Sequence, residues 1–341
     1  MKKLIGNSLK IILPFAFGFF LIWYFFHSMS EESLNYFYKA IEKANYFWII
    51  LALLLSFIAY LSRAYRWKYT LETLGHQPSF WNRYHAMMIG YLVNMTIPRA
   101  GEASRAAMLY RSDKIPFAQA FGTIIAERAV DFFMLIIVSL ITMFVAYDDF
   151  FEIFKQINTK FSGNTTENAR NVKFWILTIL ILAFGLFVFA LMVLPKLRNK
   201  ISTFILNVFK GAFSIFKCKN PFLFLSHTIF IWVLYIVYFG IAFLSMEETS
   251  HFPLEGILMG FIAGALGISF TNGGIGTFPL LVGLVVVFYL NDTNPNAQAI
   301  GNALGMLIWI SQTLLLIILG LISLILLPKN YSKETNITKN V

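Results

Sequence analysis

The strongest constraint on this chain is its series of long apolar runs separated by short charged segments. A run of about 20 apolar residues crosses a bilayer as a helix. Inside hydrocarbon every backbone polar group must find an internal partner, which leaves helices as the natural spanning element. The clearest runs are 9–28, 46–62, 130–147, 174–194, 222–245 and 299–327. The first follows Lys2 and Lys3 as a signal peptide would, but it is long and lacks a small-residue cleavage pattern, so it reads as an uncleaved span. The last is long enough to tilt, or to kink near Gly301 and Gly305. Only 13% of the residues are charged, well below the roughly 25% of a soluble domain.

Three further apolar regions are too short or too crowded for simple spans. Residues 84–97 and 115–126 are short, and 256–291 holds no Asp, Glu, Lys, Arg or His. The middle of the last region reads Thr271-Asn272-Gly273-Gly274-Ile275-Gly276, and Asn-Gly and Gly-Gly pairs mark tight turns. Residues 254–271 and 277–290 therefore read as the legs of a helical hairpin that enters the membrane and turns back. Residues 84–97 and 115–126 read as the legs of another, with Pro98-Arg99-Ala100-Gly101-Glu102 near its turn. The fold expected is an all-α polytopic membrane protein with about six full spans and two opposed re-entrant hairpins.

Loop charge sets the orientation. Residues 63–83 and 195–220 and both termini are rich in Lys and Arg, whereas 246–255 holds only acids and 29–45 and 148–173 are balanced or acidic. The positive-inside rule then places both termini in the cytoplasm. The expected setting is an integral protein of a bacterial cytoplasmic membrane. One membrane domain covers 1–328 and a short cytoplasmic tail covers 329–341. Each half, 1–147 and 174–327, reads span, span, hairpin, span, with the second inverted, giving a 4+4 inverted repeat of the kind that secondary transporters use. Residues 195–221 alternate Phe and Lys at helical spacing, as an amphipathic surface helix or a solvated loop would.

Two ionic clusters interrupt this pattern. One is Arg99, Gly101, Glu102 and Arg105; the other is Glu127, Arg128 and Asp131, where another apolar run begins. Charge at membrane depth is costly and by default functional. Guanidinium suits phosphate geometry, so Arg99 and Arg105 are candidates for a phosphate head group, with Glu102 three residues from each to compensate them. Gly101 allows close backbone approach, and an internal Arg–Glu network is the competing reading. Glu127 faces elsewhere and reaches toward Arg99 or Arg105. Arg128 and Asp131 are spaced to pair with each other, Arg128 near the cytoplasmic interface. Arg63 and Arg66, beside Tyr65 and Trp67, read as an interfacial anchor. Asn272, Gly273, Gly274 and Gly276 either present amides to a head group or simply turn the chain. Gly256, Gly260 and Gly264 recur every four residues, a spacing for close helix packing.

The segment Asn94-Met95-Thr96-Ile97-Pro98-Arg99-Ala100-Gly101-Glu102-Ala103-Ser104-Arg105, with Ala126-Glu127-Arg128-Ala129-Val130-Asp131, resembles the membrane, flippase-like domain of lysylphosphatidylglycerol synthases. Asn272-Gly273-Gly274-Ile275-Gly276 is similar to that family's second motif, over a likeness covering roughly 5–327. The resemblance implies a domain that moves a modified lipid between leaflets, beside a cytosolic domain that transfers an amino acid from tRNA. The sequence ends at Val341, soon after the last apolar run, so that transferase and lipid aminoacylation are not expected of this chain. The family's glycine motif is often followed by a glutamate, where this chain has Thr277, Phe278 and Pro279.

The function expected is transport of a phosphate-bearing lipid, a phospholipid or a polyprenyl phosphate, with the membrane lipid's anionic head group as partner. The alternatives are a membrane enzyme acting on a lipid phosphate and a non-transporting scaffold. Catalysis is not expected, because no P-loop, His-Glu-x-x-His or Gly-x-Ser-x-Gly motif occurs. One cysteine and five scattered histidines point to no metal and no cofactor. The net charge of +10 falls mainly in loops between apolar runs, which argues against nucleic acid. Oligomeric state is not legible.

Overall fold

The computed structural model describes residues 31–97, 100–149, 215–290 and 294–327, with isolated positions at 20, 23, 26, 27, 152 and 206. The runs 9–28 and 174–194, the loop 148–173 and the connector 195–221 lie wholly or mostly outside the described residues. Pro98, Arg99 and the tail lie outside them too.

Among the described residues, nine helices follow one another. They are α1 (Glu31–Lys43), α2 (Tyr46–Thr73), α3 (Phe80–Thr96), α4 (Gly101–Asp113), α5 (Phe117–Val145), α6 (Pro221–Phe243), α7 (Leu254–Phe270), α8 (Thr277–Leu290) and α9 (Ala297–Leu326). Four of them, α2, α5, α6 and α9, are long and apolar enough to cross a membrane. They answer to the runs at 46–62, 130–147, 222–245 and 299–327. The chain is an all-helical, polytopic membrane protein, and α9 is one continuous helix through Gly301 and Gly305.

Several boundaries differ from the sequence reading. Helix α2 does not stop at residue 62 but runs through Arg63 and Arg66 to Thr73, where Leu74 caps it and Gly75 turns at φ +85°. The acidic stretch 29–45 is not a plain loop, since most of it is α1. That helix buries Phe37 and packs against α9. Tyr36 on α1 donates to Glu248 at 3.1 Å, and burial together with that carboxylate pushes its phenol above the ordinary value.

The largest correction concerns the first hairpin. Its second leg is α4, residues 101–113, and residues 115–126 instead open the long helix α5. The reason is local. Lys114 adopts a left-handed conformation at φ +57° as the cap of α4, and Ile115 precedes a proline, which disfavours helical backbone. Pro116 then sits at the N-cap of α5. The second hairpin matches its expected legs to within one residue.

The helices pack in a pattern that repeats. In the first half α2 packs on α3, α3 on α4, α4 on α5 and α2 on α5; in the second α6 packs on α7, α7 on α8, α8 on α9 and α6 on α9. Across the halves α2 lies along α6, while α3 meets α9 and α7 meets α5. One core joins Phe239, Phe243, Val282, Val286, Ile300 and Leu304; another joins Trp67, Leu71, Ala106, Leu109 and Ile124.

Small residues set these approaches. A Cβ added at Gly101 would stand 2.2 Å from the Gly90 carbonyl oxygen, so α3 and α4 touch through backbone. Gly256, Gly260 and Gly264 face the rings of Phe252, Phe239 and Phe278, which supports their reading as packing positions.

Candidate functional site

The stripe Ser56, Ala59, Ser62, Arg63, Arg66 and Thr70 is the buried side of α2. It carries two arginines into the bundle. Asp131, the fifteenth of the 29 residues of α5, meets both. Arg66 Nη1 donates to Asp131 Oδ1 at 2.9 Å and Arg66 Nη2 donates to Oδ2 at 3.3 Å. Arg63 Nη2 also donates to Asp131 Oδ2. Arg66 is fully buried, reaches the Thr228 hydroxyl at 3.1 Å, and lies 5.1 Å from the centre of the Phe224 ring. Arg63 reaches the Tyr235 hydroxyl at 3.0 Å. These contacts tie α2 and α5 to α6.

Arg63 and Arg66 are therefore not interfacial anchors. A lone arginine would snorkel out to water, but a carboxylate and hydroxyl partners hold these two inside. The expected pairing of Arg128 with Asp131 is likewise overturned, because Asp131 is taken by α2. Arg128 pairs with Glu102 of α4 at 3.0 Å instead. With α5 beginning at Phe117, Arg128 is its twelfth residue and lies well inside the helix.

Glu127 does reach Arg105, as one of its two expected partners. Arg105 Nη2 donates to Glu127 Oε2 at 2.9 Å, with both side chains almost wholly buried. The guanidinium carbon of Arg105 lies 3.6 Å from the centre of the Trp67 ring. Trp67 Nε1 donates to Thr123 Oγ1 at 2.9 Å, which fixes the indole beneath the cation. Glu102 serves Arg128 rather than Arg105, and Arg99 lies outside the described residues.

Gly101, Glu102, Arg105 and Arg128 surround a void of about 10 Å³ with Gly90, Tyr91 and Asn94. That is room for about one water and too little for a head group. Gly101 donates its N–H to Asn94 Oδ1 at 2.7 Å, so its role visible here is to close the hairpin turn. The glycine motif of the second hairpin is similar. Gly273, Gly274 and Gly276 have φ of +64°, +77° and +73°. The Gly273 carbonyl accepts from Trp309 Nε1 at 2.8 Å, and Asn272 Nδ2 donates to the Met95 carbonyl at 2.9 Å. The two hairpin tips thus meet. Thr277, the first residue after the glycine motif, donates to the Gly267 carbonyl at 2.6 Å.

A much larger cavity, about 440 Å³, lies beside this network. Arg63, Arg128, Asp131 and Tyr91 line one part, and Tyr60, Trp232, Tyr235 and Tyr238 add aromatic groups with polar tips. Phe132, Leu135, Phe239, Phe261, Ile268, Phe278 and Leu316 complete an apolar wall. Among the described residues, no three of His, Cys, Asp and Glu come together as metal ligands would.

The lysylphosphatidylglycerol synthase TM region family matches residues 11–291, a stretch that contains the whole ionic network and both hairpins. The chain belongs to that family. A UPF0104 membrane protein of Methanocaldococcus jannaschii is 29% identical over 134 residues, 38% of each chain. Another, from Methanothermobacter thermautotrophicus, is 28% identical over 107 residues, 30% of this chain and 32% of the relative. The matched stretches thus span about a third of these relatives. No solved structure matches. Within this family assignment, Arg63 and Arg66 are the network members that sequence reasoning missed. The signal was present in the small and polar residues spaced three and four apart from Ser56 to Thr70.

Proposed function

We propose that this protein moves a phosphate-bearing lipid between the leaflets of its membrane. The observation that carries the reading is the cavity of about 440 Å³, which joins two guanidinium groups to a long aromatic and aliphatic wall. Ligand sites of this size class are mostly apolar with a few placed polar groups. A lipid has the matching division, with a charged head and apolar tails. Arg128, with a side chain 38% exposed, is the cation best placed to meet a head group, and Arg63 lies on the same cavity. The matching contact order of the two halves supports an inverted repeat with α2 and α6 at its centre, the two hairpins re-entering from opposite faces. Transporters of that type place their sites near the midplane and gate around them.

Transport is favoured over catalysis because each carboxylate of the network is neutralised by guanidinium, which leaves no ready general base. The test is reconstitution of the full chain in liposomes holding a trace of fluorescent phospholipid, with a membrane-impermeant quencher outside. Protein should raise the quenched fraction above one leaflet's worth. An unchanged fraction across several lipid compositions and ion gradients would overturn the proposal.

A further inference from the structure

We infer that the cavity selects an anionic head group built of hydrogen-bond acceptors and rejects one that carries a free ammonium. This rests on the lipid-transport reading above and sharpens its substrate. It also departs from the resemblance, which points to lipids modified with an amino acid.

The charge of the network gives the first reason. Arg63, Arg66, Arg105 and Arg128 face Glu102, Glu127 and Asp131 through the ion pairs already described, so among the described residues of the network four cations stand against three anions. One positive charge is left over in a mostly buried cluster. Buried charge without a counterion is strongly unfavourable, and an anion is the ligand that relieves it.

The carboxylates give the second. Asp131 is the acid on the cavity wall, and both of its oxygens accept from Arg63 or Arg66. Glu102 is held by Arg128. Glu127 Oε1 has no hydrogen-bond partner among the described residues, but Glu127 is fully buried and is not part of the cavity wall. An ammonium entering the cavity meets no free acid.

The unmet polar atoms give the third. Nε of Arg63, Nε of Arg128, the Tyr91 hydroxyl and Nε1 of Trp232 are buried with no hydrogen-bond partner among the described residues, and all four residues line this cavity. Arg63 and Trp232 are more than nine-tenths buried. Arg Nε and Trp Nε1 only donate. They come from α2, α5 and α6, so the ligand they suit offers several acceptor oxygens spread across the cavity, as a phosphate ester does.

The aromatic wall is the one feature that argues the other way, since ring faces attract ammonium groups. Arg63 already stands over the Tyr91 face at 6.0 Å, and the surplus charge opposes a second cation.

The experiment measures equilibrium binding of radiolabelled lipid to the full chain in detergent micelles. Dioleoyl-phosphatidylglycerol and its lysyl ester share their tails and differ by the added amines. The anionic lipid should bind about tenfold or more tightly, the scale of one charge-assisted hydrogen bond. Trp232→Phe with Tyr91→Phe keeps an aromatic ring at each position, removes two of the donors, and should weaken the anionic lipid several-fold while leaving the lysyl ester unchanged. Equal or tighter binding of the lysyl ester overturns the selectivity and leaves lipid transport standing. Anionic binding indifferent to both substitutions overturns the assignment to this cavity. Binding of neither lipid overturns the lipid reading itself. The comparison of head groups needs no variant, so a substitution that fails to fold does not block it.

Discussion

The two helical hairpins occupy matching places in the two halves, yet different chemistry holds each. The α3–α4 hairpin carries Glu102 and Arg105 and is tied to α5 by two ion pairs. The α7–α8 hairpin has no Asp, Glu, Lys, Arg or His after Glu255 and is closed by glycines, by Thr271 and Thr277 hydroxyls 2.6 Å apart, and by the Phe278 ring. Their helices nonetheless pack on their neighbours in the same order. Topology therefore does not require the charges of the first hairpin. Four of the residues after Glu255 (Phe261, Ala265, Ile268 and Phe278) supply apolar wall to the cavity, and the charged half supplies its guanidiniums. One hairpin supplies apolar wall to the cavity and the other helps hold the charged network beside it.

The sharpest way to break this contrast is to remove one partner of the buried pair. Glu127→Ala strands Arg105 inside the bundle, and breaking a buried pair from one side costs about 3–5 kcal/mol. Little monodisperse protein should survive purification. Replacing both members, Arg105→Met with Glu127→Leu, should restore much of the yield, because an apolar pair of similar volume is often no worse. If the double variant is as damaged as the single one, the network has a structural role that the second hairpin manages without.

Next in size are the glycines, where the hairpins should respond differently. Gly101→Ala places a methyl 2.2 Å from the Gly90 carbonyl oxygen, so the helices must part. Overpacking of this kind costs about 1–3 kcal/mol, occasionally more. At Gly273 nothing lies within 4 Å of the added carbon, but φ is +64°. The expected cost of Gly273→Ala is about 1–2 kcal/mol from left-handed backbone alone. Thermal unfolding in detergent should rank Gly101→Ala as the more harmful. Smaller again is Asn272→Ala, which takes one hydrogen bond from the Met95 carbonyl between the hairpin tips. A net loss of about 1 kcal/mol is expected, with faster proteolysis near the turns as a second readout.

What the sequence revealed follows the same division. Uninterrupted apolar runs located the four described spans, though not the starts and ends of α2 and α5, and Asn-Gly-Gly gave the second hairpin almost to the residue, because periodicity and turn chemistry are local. The first hairpin was misassigned because its true second leg carries charges that pair only across space. Without Glu127 and Arg128 in view, α4 resembles a solvated loop and residues 115–126 resemble the better leg. Arg63 and Arg66 were misread for the same reason: what keeps them inside is Asp131, 68 and 65 residues away. Glu127 was legible as a partner for Arg105 since a mid-run carboxylate needs a cation and few are near in sequence.

The least expected change in stability belongs to the pair between the first hairpin and the cavity. Arg128 and Glu102 are partly exposed, at 38% and 22% of their side chains, and pairs open to solvent contribute about 0–1 kcal/mol. Arg128→Gln should therefore purify and melt nearly as the parent does. Its effect should appear in lipid handling, because the substitution removes the surplus positive charge of the network. Glu102→Gln makes the opposite change: it frees Arg128 and raises that surplus to two. Binding of an anionic lipid should fall with Arg128→Gln and rise with Glu102→Gln, at nearly constant stability. If both variants move binding in the same direction, the pair acts as a brace between α4 and α5. The charged hairpin would then differ from the uncharged one only in how it is held together.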